Sequence, residues 1–358
     1  MKERVLIAMS GGVDSSVAAW LLKKDGYSCH GMMMKLFGEA ERTLLSDPSI
    51  ADADTADAER IAELLDIPFS LCDASSEFHK HVMQNFVDTY LAGETPNPCV
   101  QCNRTMKFGY LLQEALRHGC DKIATGHYAN LQKNEASGRF LLSTAKDVSK
   151  DQTYVLWCLT QDQLSKTLFP LGNLTKDVIR SLAEENGFCN AKRKDSQDIC
   201  FIPDGAYAAF LERYIGKSYP CGSFLDRDGT CLGTHRGMIH YTIGQRKGLG
   251  IAFGKPTYVC DKCAQSNTVI LGSNDDLFSR NLTAHSVNFI ALPRLNSPMR
   301  VQAKIRYKAA PAWATLEQTD ETTVRLQFDE PQRAISPGQS VVFYDGEYVV
   351  GGGIIANK

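Results

Sequence analysis

The chain has 358 residues, of which 43% are hydrophobic, and its formal net charge is −2. This length and apolar content predict two or three globular domains with cores of their own, and the near-neutral charge excludes an overall basic composition, so any basic surface is local. The sequence has no apolar run of membrane length, and its twelve cysteines without a secretory signal predict free thiols in a reducing cytoplasm.

The N-terminus predicts a strand, a glycine-rich loop and a helix in direct succession. Apolar residues 5–9 lead into Ser10-Gly-Gly-Val-Asp-Ser-Ser16, and residues 13–24 have helical spacing. The backbone N–H groups of such a loop, together with the positive end of the helix, form an anion site. The loop lacks the Gly-Lys-[Ser/Thr] ending of a Walker A loop and so offers no lysine to a γ-phosphate. An ordinary tight turn remains the alternative.

The elements that follow predict an α/β domain. In chain order they are a strand at 29–36, a helix at 52–65, a strand at 67–72, helices at 78–91 and 108–117, a strand at 122–125 and a helix that Thr175 caps and Gly187 closes. Strands separated by helices predict a parallel, doubly wound sheet, here within residues 1–203.

Beyond Asp204 the pattern becomes β-rich. Asp228-Gly229 and Asp345-Gly346 are typical hairpin turns, and short alternating runs predict strands at 301–307, 312–318, 323–328 and 340–350. We therefore expect a small β-rich central domain at residues 204–273 and a C-terminal β-barrel at 274–358.

Two cysteine segments are candidates for chemistry. Thr95-Pro-Asn-Pro-Cys-Val-Gln-Cys-Asn103 carries two thiols three residues apart, and Cys200 follows the basic run Lys192-Arg-Lys194. Nearby cations lower a thiol's pKa, so we expect this basic run to activate Cys200. A zinc site that joins the first pair to Cys260 and Cys263 would need a separation far longer than is usual between such pairs. A thioredoxin-like redox pair would open the first helix of a βαβ unit, whereas this pair follows a Pro-rich loop. Packing is the expected role of the cysteines at 29, 72, 120, 158 and 189.

Taken together, these segments resemble the tRNA-specific 2-thiouridylases, and the resemblance covers nearly the whole chain. The first motif alone marks the pyrophosphate-loop ATP pyrophosphatase superfamily, whereas the ordered set is specific to the family. The matching motifs are Ala8-Met-Ser-Gly-Gly-Val-Asp-Ser-Ser16, Thr95-Pro-Asn-Pro98, Cys102-Asn103, Ala124-Thr-Gly-His-Tyr128, Lys150-Asp-Gln152, Lys194-Asp-Ser196, Ile199-Cys-Phe-Ile202, Gly244-Gln-Arg-Lys-Gly-Leu-Gly250, Lys304–Tyr307, Pro337-Gly-Gln339 and Gly351-Gly-Gly-Ile-Ile355.

The resemblance implies a reaction in which sulfur replaces the oxygen at carbon 2 of the wobble uridine in tRNA. ATP adenylates that oxygen and pyrophosphate leaves. Cys200 then carries a persulfide, and Cys102 is the nucleophile that works with it. Either free hydrosulfide or the persulfide itself attacks the base, and both routes end at a Cys102–Cys200 disulfide. The sulfur comes from a donor protein, either a cysteine desulfurase or a persulfide relay.

The resemblance also implies the binding residues. Met34 contacts the adenosine part of ATP, Gly126 contacts the nucleotide through its backbone, and Asp14 is a candidate Mg²⁺ ligand. His127 is either a phosphate donor or structural. The residues implied to bind the phosphates are Ala8, Met9, Ser10, Gly11, Gly12, Val13, Asp14 and Ser15. Those implied to contact the target base are Asn97, Pro98 and Cys99. Those implied to contact the tRNA are Lys150, Asp151, Gln152, Arg306 and Tyr307, with Lys192–Lys194 and Arg246-Lys247 as a further basic track.

Two features depart from the family pattern. Some members carry Asp at the position of Cys99, which puts an acid–base role there in doubt, and the Cys260–Cys263 pair has no counterpart. Two other functions remain open at this point. A synthetase that adenylates a small carboxylate explains the loop but leaves Cys102 and Cys200 without a role. A non-catalytic RNA-binding protein predicts no ATP turnover.

Overall fold

The structure is a computed structural model that describes residues 3–46, 50–193, 198–251 and 254–357. Within these residues the strands form a parallel sheet, a small mixed sheet and a large antiparallel sheet that contains a closed barrel. The predicted α/β architecture, followed by a β-rich region and a β-barrel, is confirmed.

The N-terminal parallel sheet has the order β3-β2-β1-β4-β7. Its neighbours all pair in parallel. The chain runs outward from β1 to β3 and then returns to the other side of β1, so the crevice for a ligand lies where β1 and β4 end. The strands of this region are β1 (Arg4–Ala8), β2 (Ser28–Lys35), β3 (Phe69–Asp73), β4 (Lys122–Ala124), β5 (Asn130–Lys133), β6 (Phe140–Ser143) and β7 (Thr167–Leu168).

Helices cover the parallel sheet. The first helix begins and ends where the sequence predicts, and the segments 79–83 and 103–110 are π-helical, so the predicted helices at 78–91 and 108–117 are each composite. A period of 3.6 residues does not reveal a π-helical turn. The α-helices are α1 (Val13–Lys24), α2 (Glu39–Arg42), α3 (Ile50–Leu64), α4 (Ser75–Phe78), α5 (Gln84–Leu91), α6 (Pro98–Cys102), α7 (Leu111–Arg117), α8 (Gln161–Ser165) and α9 (Lys176–Glu185).

The central region has one helix and a four-stranded sheet of order β10-β11-β8-β9. The predicted turn at Asp228-Gly229 joins β8 to β9, and Gly229 has a φ of +85°, a left-handed conformation that favours glycine. The elements are α10 (Tyr207–Ile215), β8 (Gly222–Leu225), β9 (Cys231–His235), β10 (Tyr258–Cys263) and β11 (Thr268–Gly272).

The C-terminal strands form a six-stranded barrel of order β12-β15-β14-β13-β16-β17, which the pairing of β12 with β17 closes. Closure leaves these strands without free edges. The strand β12 has few apolar residues and was not among the predicted runs. The strands are β12 (Phe278–Phe289), β13 (Met299–Lys304), β14 (Ala312–Gln318), β15 (Val324–Arg333), β16 (Ser340–Asp345) and β17 (Tyr348–Ile355).

The barrel sheet extends into the N-terminal region, because the hairpin β5–β6 pairs with β17. Trp157, which is fully buried, packs against the same strand: a Cβ added at Gly352 would lie 2.7 Å from its ring. Trp157 Nε1 donates to Ser340 Oγ (3.0 Å), and Tyr154 Oη donates to the carbonyl oxygen of Ser340 (2.7 Å). The barrel and the N-terminal region therefore share a packed, hydrogen-bonded interface.

Candidate active site

The loop between β1 and α1 is held by its own hydroxyl groups. Ser15 Oγ and Ser16 Oγ both donate to the carbonyl oxygen of Gly12 (2.9 and 3.0 Å), and the Ser10 amide donates to Ser15 Oγ (3.2 Å). Gly11 has a φ of +70°. Because Gly12 at the N-cap has no side chain, the first amides of α1 are left for an anion at the end of β1.

Gly126 forms the second wall of this crevice. A Cβ at Gly126 would lie 2.8 Å from the Ser15 nitrogen and 2.9 Å from the carbonyl carbon of Asp14, so only glycine lets the loop after β4 approach the start of α1. The predicted nucleotide residues from Ala8 to Ser15 thus lie beside Gly126, at the carboxyl ends of neighbouring strands. Met34, near the end of β2, is half-buried at the same edge of the sheet.

Asp14 is paired with a lysine that sequence reasoning missed. Lys176 Nζ lies 2.8 and 3.0 Å from the two carboxylate oxygens of Asp14, and Tyr128 Oη donates to one of them (2.7 Å). Lys176 is buried at the first position of α9. Because its charge is matched by an ammonium, Asp14 fits poorly as a direct Mg²⁺ ligand. Among the described residues, no three His, Cys, Asp or Glu side chains are grouped to hold a metal.

The segment after α9 supports the β1–α1 loop. Asn190 Nδ2 donates to the carbonyl oxygen of Gly11 (2.8 Å) and to Ser16 Oγ (3.0 Å), and Arg193 Nη1 lies 3.5 Å from the same carbonyl oxygen. Arg193 also pairs with Asp57 (3.4 Å). This part of the predicted basic run therefore faces the loop rather than a thiol. The motif residues Lys194-Asp-Ser196 lie outside the described residues.

Three thiols lie near enough for their charges to interact, and we call the region around them the thiol cleft: Cys99, Cys102 and Cys200. Asn97 caps the helix α6, which carries Cys99 and Cys102, by accepting the Val100 amide on its side-chain oxygen (3.3 Å). Cys99 and Cys200 keep solvent-exposed surface and Cys102 is partly exposed, although protein atoms surround all three sulfur atoms.

Burial dominates the electrostatics of the thiol cleft. It raises the pKa of Cys102 to about 11 and raises the pKa values of Cys99 and Cys200 as well. For Cys200, the charges of Cys102 and Cys99 raise the pKa further, so the two cysteine segments predicted from sequence meet in space. All twelve cysteines are free thiols here. Both candidate catalytic thiols are therefore mainly protonated until a cation or a substrate stabilises their anions.

Among the described residues, Lys107 is a cation whose charge acts on all three thiols. Its charge lowers the pKa values of Cys99, Cys102 and Cys200, though less than burial raises them. The expectation that the basic run Lys192-Arg-Lys194 activates Cys200 is not supported at Arg193, which faces the β1–α1 loop, while Lys194 lies outside the described residues. No sequence pattern pointed to Lys107, since its position depends on the π-helical segment that begins at Asn103.

His127 lies behind Lys107 and is buried. Lys107 Nζ donates to its Nε2 (3.5 Å), and its Nδ1 lies 2.6 Å from Thr125 Oγ1. Burial, and next the charge of Lys107, hold the pKa of His127 well below its usual value, so the ring is neutral. His127 therefore lies beside Lys107, which favours a structural role over that of a phosphate donor.

The barrel holds the segment that leads into α6. Gln339 Nε2 donates to the carbonyl oxygens of Thr95 (3.1 Å) and Pro96 (3.0 Å), and the Thr95 amide donates to the carbonyl oxygen of Pro337 (2.8 Å). Gly338 has a φ of +84°, and a Cβ there would lie 2.9 Å from the Thr95 carbonyl oxygen. The motif Pro337-Gly-Gln339 therefore positions Asn97, Pro98 and Cys99.

Of the residues that the resemblance assigns to tRNA, Tyr307 comes closest to the thiols. Tyr307 is 40% exposed, and its hydroxyl donates to the carbonyl oxygen of Asp151 (3.2 Å). Burial raises the pKa of this hydroxyl, and the charges of Asp151 and Cys99 raise it further. The ammonium of Lys304 lies 5.9 Å from the centre of the Tyr307 ring. An exposed aromatic face with a cation beside it thus borders the thiol cleft.

The other expected tRNA residues are more engaged with the protein. The carboxylate of Asp151 accepts from the Ala145 amide (3.0 Å) and from Thr153 Oγ1 (2.6 Å), while Gln152 Oε1 accepts from the Tyr128 amide (2.9 Å). Arg306 donates to Ser336 Oγ (3.0 Å) and to the carbonyl oxygen of Ala334. Lys150 is half-buried, and Arg246 and Lys247 are exposed. Asp151, Gln152 and Arg306 therefore hold neighbouring loops in place.

Four of the five cysteines that we expect to pack in the interior are buried or partly buried. Cys29, Cys120 and Cys158 are buried, as predicted, and Cys72 is partly buried. Cys189 is exposed and lies 3.5 Å from a carboxylate oxygen of Asp57, so the prediction that it packs in the interior is wrong. The pair at 260 and 263 lies on β10, outside the thiol cleft.

Three family models match consecutive parts of the chain. The tRNA methyl transferase HUP domain matches residues 3–204, the tRNA methyl transferase PRC-barrel domain matches 208–273, and the aminomethyltransferase beta-barrel domain matches 279–355. In the described part of the chain, no helix has both the length and the apolar character needed to cross a membrane.

Among known proteins, the tRNA-specific 2-thiouridylase MnmA of Clostridioides difficile (strain 630) is 48% identical over 355 residues, which are 99% of this chain and 98% of the relative. The protein of the same name from Acetivibrio thermocellus is also 48% identical, over 99% of each chain. A solved 4-thiouridine synthetase–RNA complex with bound ATP is 18% identical, covers 56% of this chain and 45% of its own, and has a TM-score of 0.38. The full-length identities show that the chain belongs to the tRNA-specific 2-thiouridylase family, which is a family of enzymes.

Proposed function

We propose that the chain replaces the oxygen at carbon 2 of a tRNA wobble uridine with sulfur, in an ATP-dependent reaction in the cytoplasm that yields 2-thiouridine, AMP and pyrophosphate. The observation that carries this proposal is the thiol cleft, in which Cys102 and Cys200 meet although they are distant in sequence. An anion site built from the β1–α1 loop lies in the same domain. The full-length relatives that bear the 2-thiouridylase name support the same reaction.

The β1–α1 loop would serve the first step. Its amides and the start of α1 would bind the phosphates of ATP, with Met34 toward the adenosine and Gly126 against the loop. The uridine oxygen attacks the α-phosphorus, and the bond to pyrophosphate breaks. Lys176, next to Asp14, adds positive charge near the departing pyrophosphate. Mg²⁺ would arrive with ATP, held mainly by the phosphates.

The thiol cleft would serve the second step. A donor protein, either a cysteine desulfurase or a persulfide relay, loads a sulfur atom onto Cys200. The Cys102 thiolate attacks Sγ of the Cys200 persulfide, a Cys102–Cys200 disulfide forms, and hydrosulfide leaves. Hydrosulfide attacks carbon 2, and AMP departs with the original oxygen. In the alternative route the terminal persulfide sulfur attacks carbon 2 directly, and Cys102 then resolves the adduct. A dithiol reductant restores both thiols.

The tRNA would enter from the side of the barrel. A wobble base sits in an anticodon loop and can be turned out of its stack. Asn97, Pro98 and Cys99 would line the base, Tyr307 would offer a stacking face, and Lys150 and Arg306 would contact the backbone. Residues 1–203 would then form the catalytic domain, 204–273 a central domain and 274–358 a tRNA-binding barrel.

The test is nucleoside analysis of unmodified tRNA after incubation with the chain, ATP and a persulfide-generating cysteine desulfurase. The proposal predicts 2-thiouridine by mass spectrometry and retarded migration of the tRNA in a mercury-containing gel. Omission of ATP or of the sulfur source should prevent both. Release of pyrophosphate with a small carboxylate and without tRNA, in the absence of any thiolated nucleoside, would instead identify a synthetase.

A further inference from the structure

The segment that directly follows Cys102 is π-helical, from Asn103 to Tyr110. In an α-helix, residues five positions apart point about 140° away from each other. A π-helical turn closes i→i+5 hydrogen bonds, so it is wider and brings a residue five positions later back toward the same face. Lys107 is five residues after Cys102, and its charge acts on that thiol. The π-helical segment therefore turns a lysine toward the cleft that an α-helix would turn away.

The ammonium of Lys107 donates to a ring nitrogen of His127 that can only accept. His127 is neutral, and its Nε2 accepts from Lys107 Nζ (3.5 Å), so its proton resides on Nδ1 and is donated to Thr125 Oγ1 (2.6 Å). The rings of Phe108 and Phe169 pack against the imidazole at 5.8 and 6.0 Å. The orientation of the imidazole is thus fixed by packing and by one hydrogen bond.

The groups that share the cleft with Lys107 are mostly anionic or neutral. Its charge acts on all three thiols of the cleft, while the charge of Asp198 acts on Cys99 and that of Cys99 acts on Tyr307. Of these groups, the thiols and Tyr307 are neutral until they lose a proton. A sulfur anion formed in the thiol cleft therefore has Lys107 as the cation that acts on all three sulfur positions.

We propose that Lys107 is the cation that stabilises sulfur anions in the thiol cleft, and that His127 and Thr125 are positioning residues that hold it there. The role in sulfur transfer rests on the proposed function, whereas the effect of Lys107 on the thiols does not. The effect involves neither the β1–α1 loop nor Arg193, which faces that loop.

The sulfur-transfer step shows why one cation is sufficient. The Cys102 thiolate attacks Sγ of the Cys200 persulfide, the new disulfide bond forms, and the electron pair of the old sulfur–sulfur bond leaves on the terminal sulfur as hydrosulfide. One negative charge enters the step on Cys102 and one leaves it on hydrosulfide. Because the charge moves only across the cleft, Lys107 can stabilise it before and after the transfer.

The test is the rate of alkylation of each cysteine by iodoacetamide at pH 8 in the full chain without ATP or tRNA, resolved by peptide mass spectrometry. Iodoacetamide reacts with the thiolate, so each rate follows the thiolate fraction. Lys107→Met should slow alkylation of Cys102 and Cys200 about tenfold, and Lys107→Arg should slow it less than about threefold. Lys192→Met and the surface control Lys133→Met should leave both rates unchanged.

A second variant keeps the test valid if Lys107→Met does not fold. His127→Leu removes the acceptor but keeps the lysine, so it should slow alkylation of Cys102 by about threefold and displace its pH profile toward higher pH. A wild-type rate in both Lys107→Met and His127→Leu would overturn the proposal, as would slowing of Cys200 by Lys192→Met. If the variants change the alkylation rates as stated but the wild-type chain does not thiolate tRNA, the proposed function is refuted while the effect of Lys107 on the thiols stands.

Discussion

The β1–α1 loop takes its anion-binding amides from one stretch of nine residues, with distant residues only supporting them, whereas the thiol cleft takes its reactive groups from several distant segments. In the loop, Ser15 and Ser16 bond the backbone a few positions away. In the cleft, α6, the segment at Cys200, Lys107 and the barrel residue Gln339 all contribute. The comparison shows that the anion site depends on local geometry, while the sulfur chemistry depends on how the N-terminal region and the barrel pack. Changes in the two regions should therefore have separable effects.

The largest effect should come from Gly126→Ala. The new Cβ meets the Ser15 nitrogen at 2.8 Å, so the β1–α1 loop has to move, at a cost of about 1–3 kcal/mol of unfolding free energy. We expect ATP affinity to fall more than about thirtyfold in isothermal titration calorimetry, while iodoacetamide still reaches Cys200 at the wild-type rate. Gly138→Ala, at an open left-handed position, is the matched control and should leave ATP affinity unchanged.

Gly338→Ala should produce the reverse pattern. Its Cβ would lie 2.9 Å from the Thr95 carbonyl oxygen at a φ of +84°, so the barrel loop has to release the segment that leads into α6. We expect tRNA thiolation to fall about tenfold with ATP affinity within about twofold of wild type. An equal loss of both would show that the two regions are not independent.

Lys176→Met tests the electrostatic part of the β1–α1 loop. The substitution removes the ammonium that lies 2.8 Å from Asp14, and it leaves the Tyr128 hydroxyl as a partner of that carboxylate. We expect ATP affinity to fall about fivefold to tenfold, since the Asp14 carboxylate then has no counter-charge to offset its repulsion of the phosphates. Lys146→Met, which removes an exposed lysine, is the control. Unchanged affinity in Lys176→Met would place this ion pair outside nucleotide binding.

The smallest functional effect should come from Lys262, which lies on β10 in the central region. Burial lowers its pKa to about 8, its Nζ has no hydrogen-bond partner among the described residues, and it lies 5.9 Å from the Tyr90 ring. The unfolded lysine keeps its proton up to about pH 10.4, so stability should rise with pH between about 8 and 10.4, by roughly 3 kcal/mol in all. Below about pH 8 the lysine is protonated in both states, so stability no longer changes with pH and the full cost of burying the ammonium remains.

Lys262→Met should accordingly be more stable than wild type in urea denaturation at pH 7, and the difference should shrink by pH 9.5. ATP affinity and thiol alkylation should not change. A difference that is constant with pH would mean that the lysine is not buried in the folded chain.

Sequence reasoning was most successful where function is local. The strand–loop–helix unit and the bounds of α1 follow from a contiguous pattern, and the hairpin at Asp345-Gly346 follows from turn chemistry. Lys107 was missed because a π-helical segment has no signature in a 3.6-residue period. The pairing of β6 with β17 was missed because contacts between distant segments leave no local trace.

The basic run before Cys200 shows how proximity in sequence can mislead. Lys192 and Arg193 precede the thiol by only a few residues, yet Arg193 lies at the carbonyl oxygen of Gly11. Lys107, whose charge does act on Cys200, lies 93 positions earlier in the sequence. Cys102 and Cys200 were assigned through family resemblance, and their encounter could not be derived from either segment alone.

The central claim is that the β1–α1 loop activates the tRNA oxygen and the thiol cleft supplies the sulfur. The most direct test measures pyrophosphate release and 2-thiouridine formation in the same reaction for wild type and Cys200→Ser, with Cys221→Ser, an exposed cysteine of the central region, as the matched control. The account predicts that Cys200→Ser retains tRNA-dependent pyrophosphate release and forms no 2-thiouridine, while the control performs both steps. Formation of 2-thiouridine by Cys200→Ser at the wild-type rate would contradict it.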